Sequence, residues 1–389
     1  MSRPALSAYD LLRLLVRPAP DNESAELMRA GAVDEGEGGM QEVLSLAERH
    51  HVQSLVYRAL KRGGAESQMV ANLKSLALRN TQRNLKMTGE LRAVLGAFAR
   101  LDIAAIPVKG PTLAALAYGD LGLREFFDLD LLIERHDLKR AGDVLVRLGY
   151  RPQVDLALAG GAILDAYRVI EFTNEARDSV VELHWELSPA FLPFPAQFAR
   201  LYDRTVEVEL AGYRARTMSP EDLLNYLCVH GGKHWWEYLN WIADVAWLIR
   251  RRTDLDWRLV AERAREFGCE RPLWLGLLLA RELLETDKPC WPDWPNWMEE
   301  LMRADAVAMK LSKQVYEWQA SQSRPGTLEI SRFYLALHPT LGGKLRCAYH
   351  LFIAPNVADW EFLRLPRPLA FLYPVVRIVR LVKERSLRR

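Results

Sequence analysis

The sequence Phe-Asp-Leu-Asp-Leu-Leu-Ile at residues 127–133 determines the fold prediction, because it combines a strand pattern with two carboxylates. Side chains alternate between the two faces of a β-strand, so Asp128 and Asp130 share one face while Leu129 and Leu131 lie on the other. Two like charges in an otherwise apolar strand repel each other unless they share a cation. The stretch therefore predicts a Mg²⁺ or Mn²⁺ site on a central strand, and a solvated pair at a sheet edge is the plainer alternative.

A second apolar run at residues 105–108 precedes the turn Lys-Gly-Pro-Thr at 109–112 and a helical stretch at 113–118. This order predicts a strand, a tight turn and a helix. Free backbone N–H groups at a helix start face an incoming anion, and Gly110 lets a phosphate approach the backbone closely. A glycine between a strand and a helix is common and usually structural, so its position ahead of the acidic strand is what gives it weight.

Two further strands are predicted at residues 168–173 and 179–185, on either side of a hairpin loop at 174–178. Alternation along the second of these strands turns Glu182 and His184 to one face. A third carboxylate on a strand next to the first two would allow two metal ions to bind. Glu182 is therefore the predicted third metal ligand. His184 could orient that carboxylate or join the metal site, or it could be an ordinary buried, hydrogen-bonded histidine.

The rest of the chain predicts mainly helices around these strands. Apolar residues recur at intervals of three and four before residue 101, apart from a linker at 18–39 that is rich in Pro, Gly, Asp and Glu. The helical pattern returns at Ser219, which precedes Pro220 and two acidic residues, as at many helix starts. We predict an α+β protein with four regions: a helical N-terminal domain (1–100), a central core (101–217), a helical C-terminal domain (218–325) and a mixed, basic tail (326–389).

Length and composition exclude several classes of protein. At 389 residues with 50% hydrophobic and 26% charged side chains, the chain can bury a large core, which excludes intrinsic disorder as its main state. A formal charge of +2 provides no broad field that would select nucleic acid. The sequence shows no apolar signal segment at its start, no apolar run near the roughly 20 residues of a spanning helix and no paired cysteine spacing. These features predict a cytoplasmic protein without a transmembrane segment.

The order of the motifs resembles the nucleotidyltransferase superfamily, whose fold is shared with DNA polymerase β. The fuller pattern is similar to a bacterial family of uncharacterised nucleotidyltransferases, and the residues that carry this similarity are Lys109-Gly110, then Arg124 ahead of Asp128-Leu129-Asp130, then Glu182-Leu183-His184. The resemblance covers about residues 105–250. It implies a polymerase β-like core, a small mixed sheet with helices, flanked by helical N- and C-terminal regions.

The resemblance also implies a reaction. A nucleoside monophosphate would be transferred from a nucleoside triphosphate, with ATP as the expected donor, to an unidentified small-molecule, protein or RNA acceptor, with release of pyrophosphate. Three carboxylates would hold Mg²⁺ or Mn²⁺ and carry catalysis, namely Asp128, Asp130 and Glu182. The nucleotide would be contacted by Lys109, Gly110, Thr112, Arg124 and Lys233. His184 would support the metal ligands.

One position departs from the family pattern. Pro111 follows the glycine where relatives usually have Ser or Gly, so one backbone N–H that could bind phosphate is missing, and the Thr112 hydroxyl is the expected substitute. A catalytically weak or inactive binding or regulatory protein of the same fold is therefore the main alternative. Metal-dependent hydrolysis is a third class.

Several charged residues allow more than one interpretation. Lys109 could bind a phosphate or balance Asp128, and Arg124 could bind the triphosphate or be a surface arginine in its loop. Asp244, on an apolar helix, is better interpreted as a structural cap or an ion-pair partner.

Two features elsewhere in the sequence are also open to alternative interpretations. His230 and His234 are spaced like zinc ligands on a helix, but the two glycines between them argue against a continuous helix. The basic segment 377–389 could contact anionic lipid or RNA, or it could be a solvated helix end.

Overall fold

The computed structural model of the chain describes residues 6–18, 37–65, 67–154, 168–195, 197–284, 295–365 and 367–387. Most of the linker predicted at 18–39 lies outside these residues. Within them, helices surround a five-stranded sheet and a separate two-stranded hairpin. The protein is therefore α+β, as the sequence predicts.

The described residues ahead of the sheet form helices α1 (Ala8–Val16), α2 (Glu37–Arg49), α3 (Gln53–Arg62) and α4 (Gln68–Ala99). Ser67 begins α4, because its hydroxyl accepts a hydrogen bond from the N–H of Val70. The 32 residues of α4 form the longest of these helices and lead the chain to the first strand.

Two buried asparagines on α4 hold the loop that precedes the acidic strand. The side-chain amide of Asn80 donates to the carbonyl of Gly122 at 2.9 Å, and that of Asn84 donates to the carbonyl of Arg124 at 2.7 Å. These bonds satisfy loop carbonyls that would otherwise be buried without a donor. The loop therefore has a fixed position relative to α4.

The five strands of the sheet are β1 (Ala105–Pro107), β2 (Leu129–Ile133), β3 (Arg151–Pro152), β4 (Val169–Asn174) and β5 (Ser179–His184). Their order is β1-β2-β5-β4-β3. β2 and β5 run parallel, and the other neighbouring strands are antiparallel. This is the small mixed sheet that the resemblance implies.

The register of the sheet places two acidic residues side by side. Asp130 on β2 is directly opposite Glu182 on β5. Every residue of β2 is buried, and the strand begins two residues later than the predicted stretch 127–133. Asp128 therefore belongs to the end of the preceding loop rather than to the strand.

The predicted turn and helix after β1 are also present. The single-turn helix α5 (Gly110–Leu113) continues into a π-helical turn at Ala114–Tyr118, and Gly119, with a φ of 69°, ends it. Helix α6 (Leu138–Arg147) follows β2.

The next described elements are α7 (Phe198–Asp203), the hairpin of β6 (Val206–Leu210) and β7 (Tyr213–Thr217), and helices α8 (Pro220–Lys233), α9 (Leu239–Arg251), α10 (Trp257–Phe267), α11 (Glu270–Leu284), α12 (Asn296–Ala304) and α13 (Ala306–Ala320). Ser219 caps α8, as predicted, because its hydroxyl accepts from the N–H of Asp222.

Helix α8 is continuous through Gly231 and Gly232, so the prediction that these glycines interrupt it is wrong. A Cβ on Gly231 would lie 2.4 Å from the Trp236 ring. The glycine thus lets a fully buried indole pack against the helix, and this packing outweighs the helix penalty of about 1 kcal/mol for a glycine.

The tail is helical over most of its described residues rather than mixed, with α14 (Thr327–Ala336), α15 (Leu341–Phe352), α16 (Val357–Phe362) and α17 (Tyr373–Leu387). One cluster of buried apolar side chains runs from Tyr9 to Leu337 and joins the helices to the sheet. The division into four domains stays a prediction. None of the helices in the described ranges is long and apolar enough to cross a membrane.

Candidate active site

The centre of the site is a histidine between two carboxylates. Parallel pairing of β2 and β5 brings Asp130 and Glu182 together, and the alternation of β5 turns His184 to the same face as Glu182. The Nε2 atom of His184 lies 3.1 Å from Oδ1 of Asp130 and 3.0 Å from Oε2 of Glu182. Burial by itself would lower the pKa of His184, but the hydrogen bonds to the two carboxylates outweigh it and the pKa is raised.

Asp130 is almost completely buried and pairs with a lysine as well. Its Oδ2 atom lies 3.2 Å from Nζ of Lys109, at the end of the turn that follows β1. Burial alone would raise the pKa of Asp130, but the Lys109 ammonium and the hydrogen bond from His184 outweigh it, so the pKa lies well below its usual range. Asp130 is therefore a carboxylate at neutral pH.

Lys109 contacts a second buried residue. Its Nζ atom lies 3.2 Å from Nε2 of His230 on α8. Burial alone would lower the pKa of Lys109, but the charge of Asp130 outweighs it and the pKa is raised. Burial and then the Lys109 charge lower the pKa of His230, so a neutral imidazole accepts a hydrogen bond from a charged ammonium. Of the two predicted interpretations of Lys109, ion pairing is observed, with Asp130 rather than Asp128.

Asp128 lies beside this group at the end of the loop. Burial and then the charge of Asp130 raise its pKa to about 6, against the opposing effect of Lys109. Within the described ranges, the three residues whose ligand atoms lie within 4.8 Å of one another are Asp130, Glu182 and His184. The structure therefore brings together two of the three predicted metal carboxylates and the predicted supporting histidine, with Asp128 adjacent.

Gly110 and Thr112 lie next to the backbone of Asp128 and Lys109. Gly110 has a φ of +57°, and a Cβ at this position would lie 3.3 Å from the carbonyl oxygen of Asp128. Thr112 is fully buried, and its hydroxyl donates to the carbonyl of Lys109 at 2.9 Å. That hydroxyl is engaged within the turn, so its position does not support the predicted contact with a phosphate.

Arg124 is neither a surface residue nor a free cation. Its Nε and Nη2 atoms donate to the two carboxylate oxygens of Asp244 on α9, at 2.9 and 3.0 Å, and the Tyr118 hydroxyl donates to the same carboxylate at 2.8 Å. Both members of the pair are buried. The ion pair fixes the loop before β2 to α9, and the interpretation of Asp244 as an ion-pair partner is confirmed.

A cleft of about 320 Å³ opens above these groups. One wall is the acidic face of the sheet, and the other comes from α8 and the start of α9. The lining side chains on that second wall are Tyr226, His230, Lys233, His234, Tyr238, Asn240 and Trp241. The cleft therefore combines carboxylates, ammonium groups and aromatic rings.

Lys233 faces the cleft from the last turn of α8. Burial and then the charge of Lys109 lower its pKa, while Glu182 and Asp130 act in the opposite direction. The rings of His230 and His234 lie 4.8 Å apart, and burial lowers the pKa of His234 to about 3. Both imidazoles are therefore neutral, and His234 packs against the Trp241 ring with a centroid separation of 4.8 Å.

Residues 37–285 match the protein family described as uncharacterised nucleotidyltransferase. The chain belongs to this family. The match covers well over half of the chain and includes the whole of the acidic site. Comparison with the curated proteins and with the solved structures gives no match.

In this member of the nucleotidyltransferase family, two parts of the site were missed by sequence reasoning. One is the contact of His230 with Lys109, which joins residues 121 positions apart, and the other is the Arg124–Asp244 pair, 120 positions apart. A single carboxylate in an apolar helix indicated that Asp244 forms a buried ion pair, but the neighbouring sequence did not indicate that Arg124 is its partner.

Proposed function

We propose that the protein transfers a nucleoside monophosphate, with ATP as the expected donor, to an acceptor and releases pyrophosphate. The observation that carries this proposal is the register of the sheet, which sets Asp130 opposite Glu182 on adjacent parallel strands at the base of a cleft. In a chain of the nucleotidyltransferase family, carboxylates on neighbouring strands are the arrangement that this chemistry requires.

Two features of the site fit a divalent cation. Oδ2 of Asp130 is buried and, among the described residues, its polar contact is the ion pair with the Lys109 ammonium at 3.2 Å, so this oxygen has a lone pair left for a cation. Burial and then repulsion from Asp130 raise the pKa of Asp128, and a cation between the two carboxylates would remove the repulsive part of that shift. We assign Asp128, Asp130 and Glu182 as ligands of Mg²⁺ or Mn²⁺, which when bound supplies positive charge to the triphosphate and the acceptor oxygen.

The chain's own groups then have distinct roles. The ammonium groups of Lys109 and Lys233 both line the cleft and can bind phosphate oxygens by charge-assisted hydrogen bonds. The Glu182 side chain is 28% exposed and that of Asp130 is 2% exposed, so the Glu182 carboxylate is the one that can take the proton of the acceptor group. His184 contacts both carboxylates and holds them in orientation.

The acceptor has room in a neighbouring cavity of about 540 Å³. His184, Leu187 and Lys233 line both this cavity and the cleft. The cavity is also lined by Phe191 and, on α15, by His350.

A catalytically weak or inactive binding protein is the second candidate. The observations that favour it are the Lys109–Asp130 ion pair, which occupies a predicted metal ligand, and the engaged Thr112 hydroxyl beside Pro111. This protein would bind a nucleotide without transferring it.

Incubation with each labelled nucleoside triphosphate, Mg²⁺ or Mn²⁺ and a lysate of the source organism tests the proposal. Label should appear in a protein, RNA or small-molecule fraction with wild-type protein and not with Asp128→Asn. Calorimetry with the same nucleotides separates the two candidates, because binding without any transfer would favour the second and refute the first.

A further inference from the structure

The exposed apolar side chains of the protein are concentrated in one region. Among the described residues, 23 large apolar side chains are exposed, and 12 of them lie between residues 341 and 379. Isolated exposed apolar residues are normal on protein surfaces, whereas a dense group marks a surface that another body covers.

Helix α15 carries the first part of this group. Its exposed apolar residues recur at intervals of four, four and three, which aligns them along one side of the helix, and they are Leu341, Leu345, Tyr349 and Phe352. The Leu341 side chain is 73% exposed. The helix buries Gly343 and Cys347 on other sides instead.

Helix α17 presents apolar residues outward and charged residues inward. Arg377 and Arg380 are buried, and both guanidinium groups contact the buried carboxylate of Asp359 on α16, at 3.2 and 2.8 Å. The exposed side chains are instead Val375, Ile378 and Val379, each more than half exposed. This is the reverse of a helix whose outer side faces water. The predicted lipid or RNA contact through Arg377 and Arg380 is therefore wrong for these two side chains, and Arg388 and Arg389 lie outside the described residues.

The same region is basic although the rest of the chain is acidic. Residues 326–389 contain eleven Lys and Arg against four Asp and Glu, whereas the whole chain contains 52 against 50. The region therefore carries a formal charge of +7 and residues 1–325 carry −5. Exposed basic side chains adjoin the apolar ones in sequence at Lys344, Arg346 and Arg364.

We propose that helices α15 to α17 form a surface that lies against an anionic lipid bilayer. The apolar side chains enter the boundary between headgroups and acyl chains, and the basic side chains contact the headgroups. Helices with an exposed apolar side and flanking Lys or Arg bind in the plane of such a membrane. Each basic residue near an anionic leaflet strengthens binding about fivefold.

Charge decides between the bilayer and other occupants. Two copies of the protein would bring together two surfaces that both carry exposed Lys344, Arg346 and Arg364, and the repulsion between these like charges opposes association. RNA would neutralise the charge but leave the apolar stripes exposed to water. An anionic bilayer satisfies both features, and this contact is independent of nucleotidyl transfer.

Co-sedimentation of the full chain with vesicles tests the proposal. Vesicles of phosphatidylcholine are compared with vesicles that also contain phosphatidylglycerol, at low and high salt. Leu341→Gln/Leu345→Gln removes part of the apolar stripe, and Lys344→Gln/Arg346→Gln removes charge. Leu78→Gln/Leu85→Gln on α4 is the matched control, because both of these leucines are about half exposed.

The wild-type chain should bind the anionic vesicles, with weaker binding at high salt or without phosphatidylglycerol. The apolar variant should bind about 100-fold more weakly, about tenfold for each leucine, while the control variant binds as the wild type does. Unchanged circular dichroism and melting temperature would show that each variant is folded.

Three results would overturn the proposal. The first is no binding of the wild type to anionic vesicles at low salt, and the second is equal binding by the apolar variant. The third is evidence for another occupant. This would be a wild-type dimer that is lost in Leu341→Gln/Leu345→Gln, or RNA binding that is lost only in Lys344→Gln/Arg346→Gln.

Discussion

Replacing Asp244 by Asn should strongly destabilise the protein, because it leaves the guanidinium of Arg124 buried without a counter-charge. Both side chains are buried, and their contacts of 2.9 and 3.0 Å have the usual length of an N–H···O hydrogen bond. Removing one partner of a buried pair typically costs about 3 to 5 kcal/mol. Asn keeps an oxygen for the Tyr118 hydroxyl, so we expect about 3 kcal/mol, the lower end of that range.

Urea unfolding at neutral pH, followed by circular dichroism, measures this loss. Tyr118→Phe is the control for the hydrogen bond alone and should cost about 1 kcal/mol. The double variant Arg124→Met/Asp244→Leu should recover most of the stability, since apolar residues of similar volume often replace a buried pair without loss. A loss below 1 kcal/mol in Asp244→Asn would refute the reasoning. The double variant also tests the predicted nucleotide contact of Arg124, because tenfold weaker ATP binding in a stable variant would establish it.

Three further predictions follow from the site and its surroundings. Asp128→Asn should lower the rate of nucleotidyl transfer by orders of magnitude with little change in melting temperature. Glu182→Gln should abolish transfer, while calorimetry should still detect nucleotide binding. Wild-type turnover in either variant would remove the metal assignment. Gly110→Val should lower the melting temperature as well as any nucleotide affinity, because its φ of +57° strains any side chain, and an unchanged melting temperature would contradict this. His50 should make the protein less stable as the pH falls from about 6.5 to 4, because burial lowers its folded-state pKa to about 4 and the unfolded chain takes up the proton first. When the free energy of unfolding is measured across this range, its loss should be about 3 kcal/mol smaller in His50→Gln than in the wild type. Equal losses in the two proteins would exclude His50 as the cause.

Local patterns in the sequence predicted the acidic strands and their faces. The alternation around Asp130 and Glu182 is a property of a few consecutive residues, and the resemblance added that the two strands are neighbours. Both the mixed sheet and the helical surroundings are present in the structure. The order strand, turn and helix at Gly110 was predictable for the same reason.

The partners of the cations were not predictable in this way. Lys109 was expected at a phosphate or beside Asp128, but antiparallel pairing of β1 with β2 places it next to Asp130. Its contact with His230 depends on where α8 crosses the sheet. The same holds for Gly231, whose place in a continuous helix depends on an indole five positions later. Tertiary packing decides each of these cases, and no local propensity encodes it.

Asn80 and Asn84 on α4 determine which part of the chain could be separated from the rest as a fragment. A fragment that began at residue 101 would contain every acidic residue of the site, yet it would lack the amides that hold the carbonyls of Gly122 and Arg124. The loop that ends at Asp128 would then lose the hydrogen bonds that fix it to α4. Transplanting the sheet into another protein would therefore require α4 as well, so the smallest transferable unit begins with this helix rather than with the first strand.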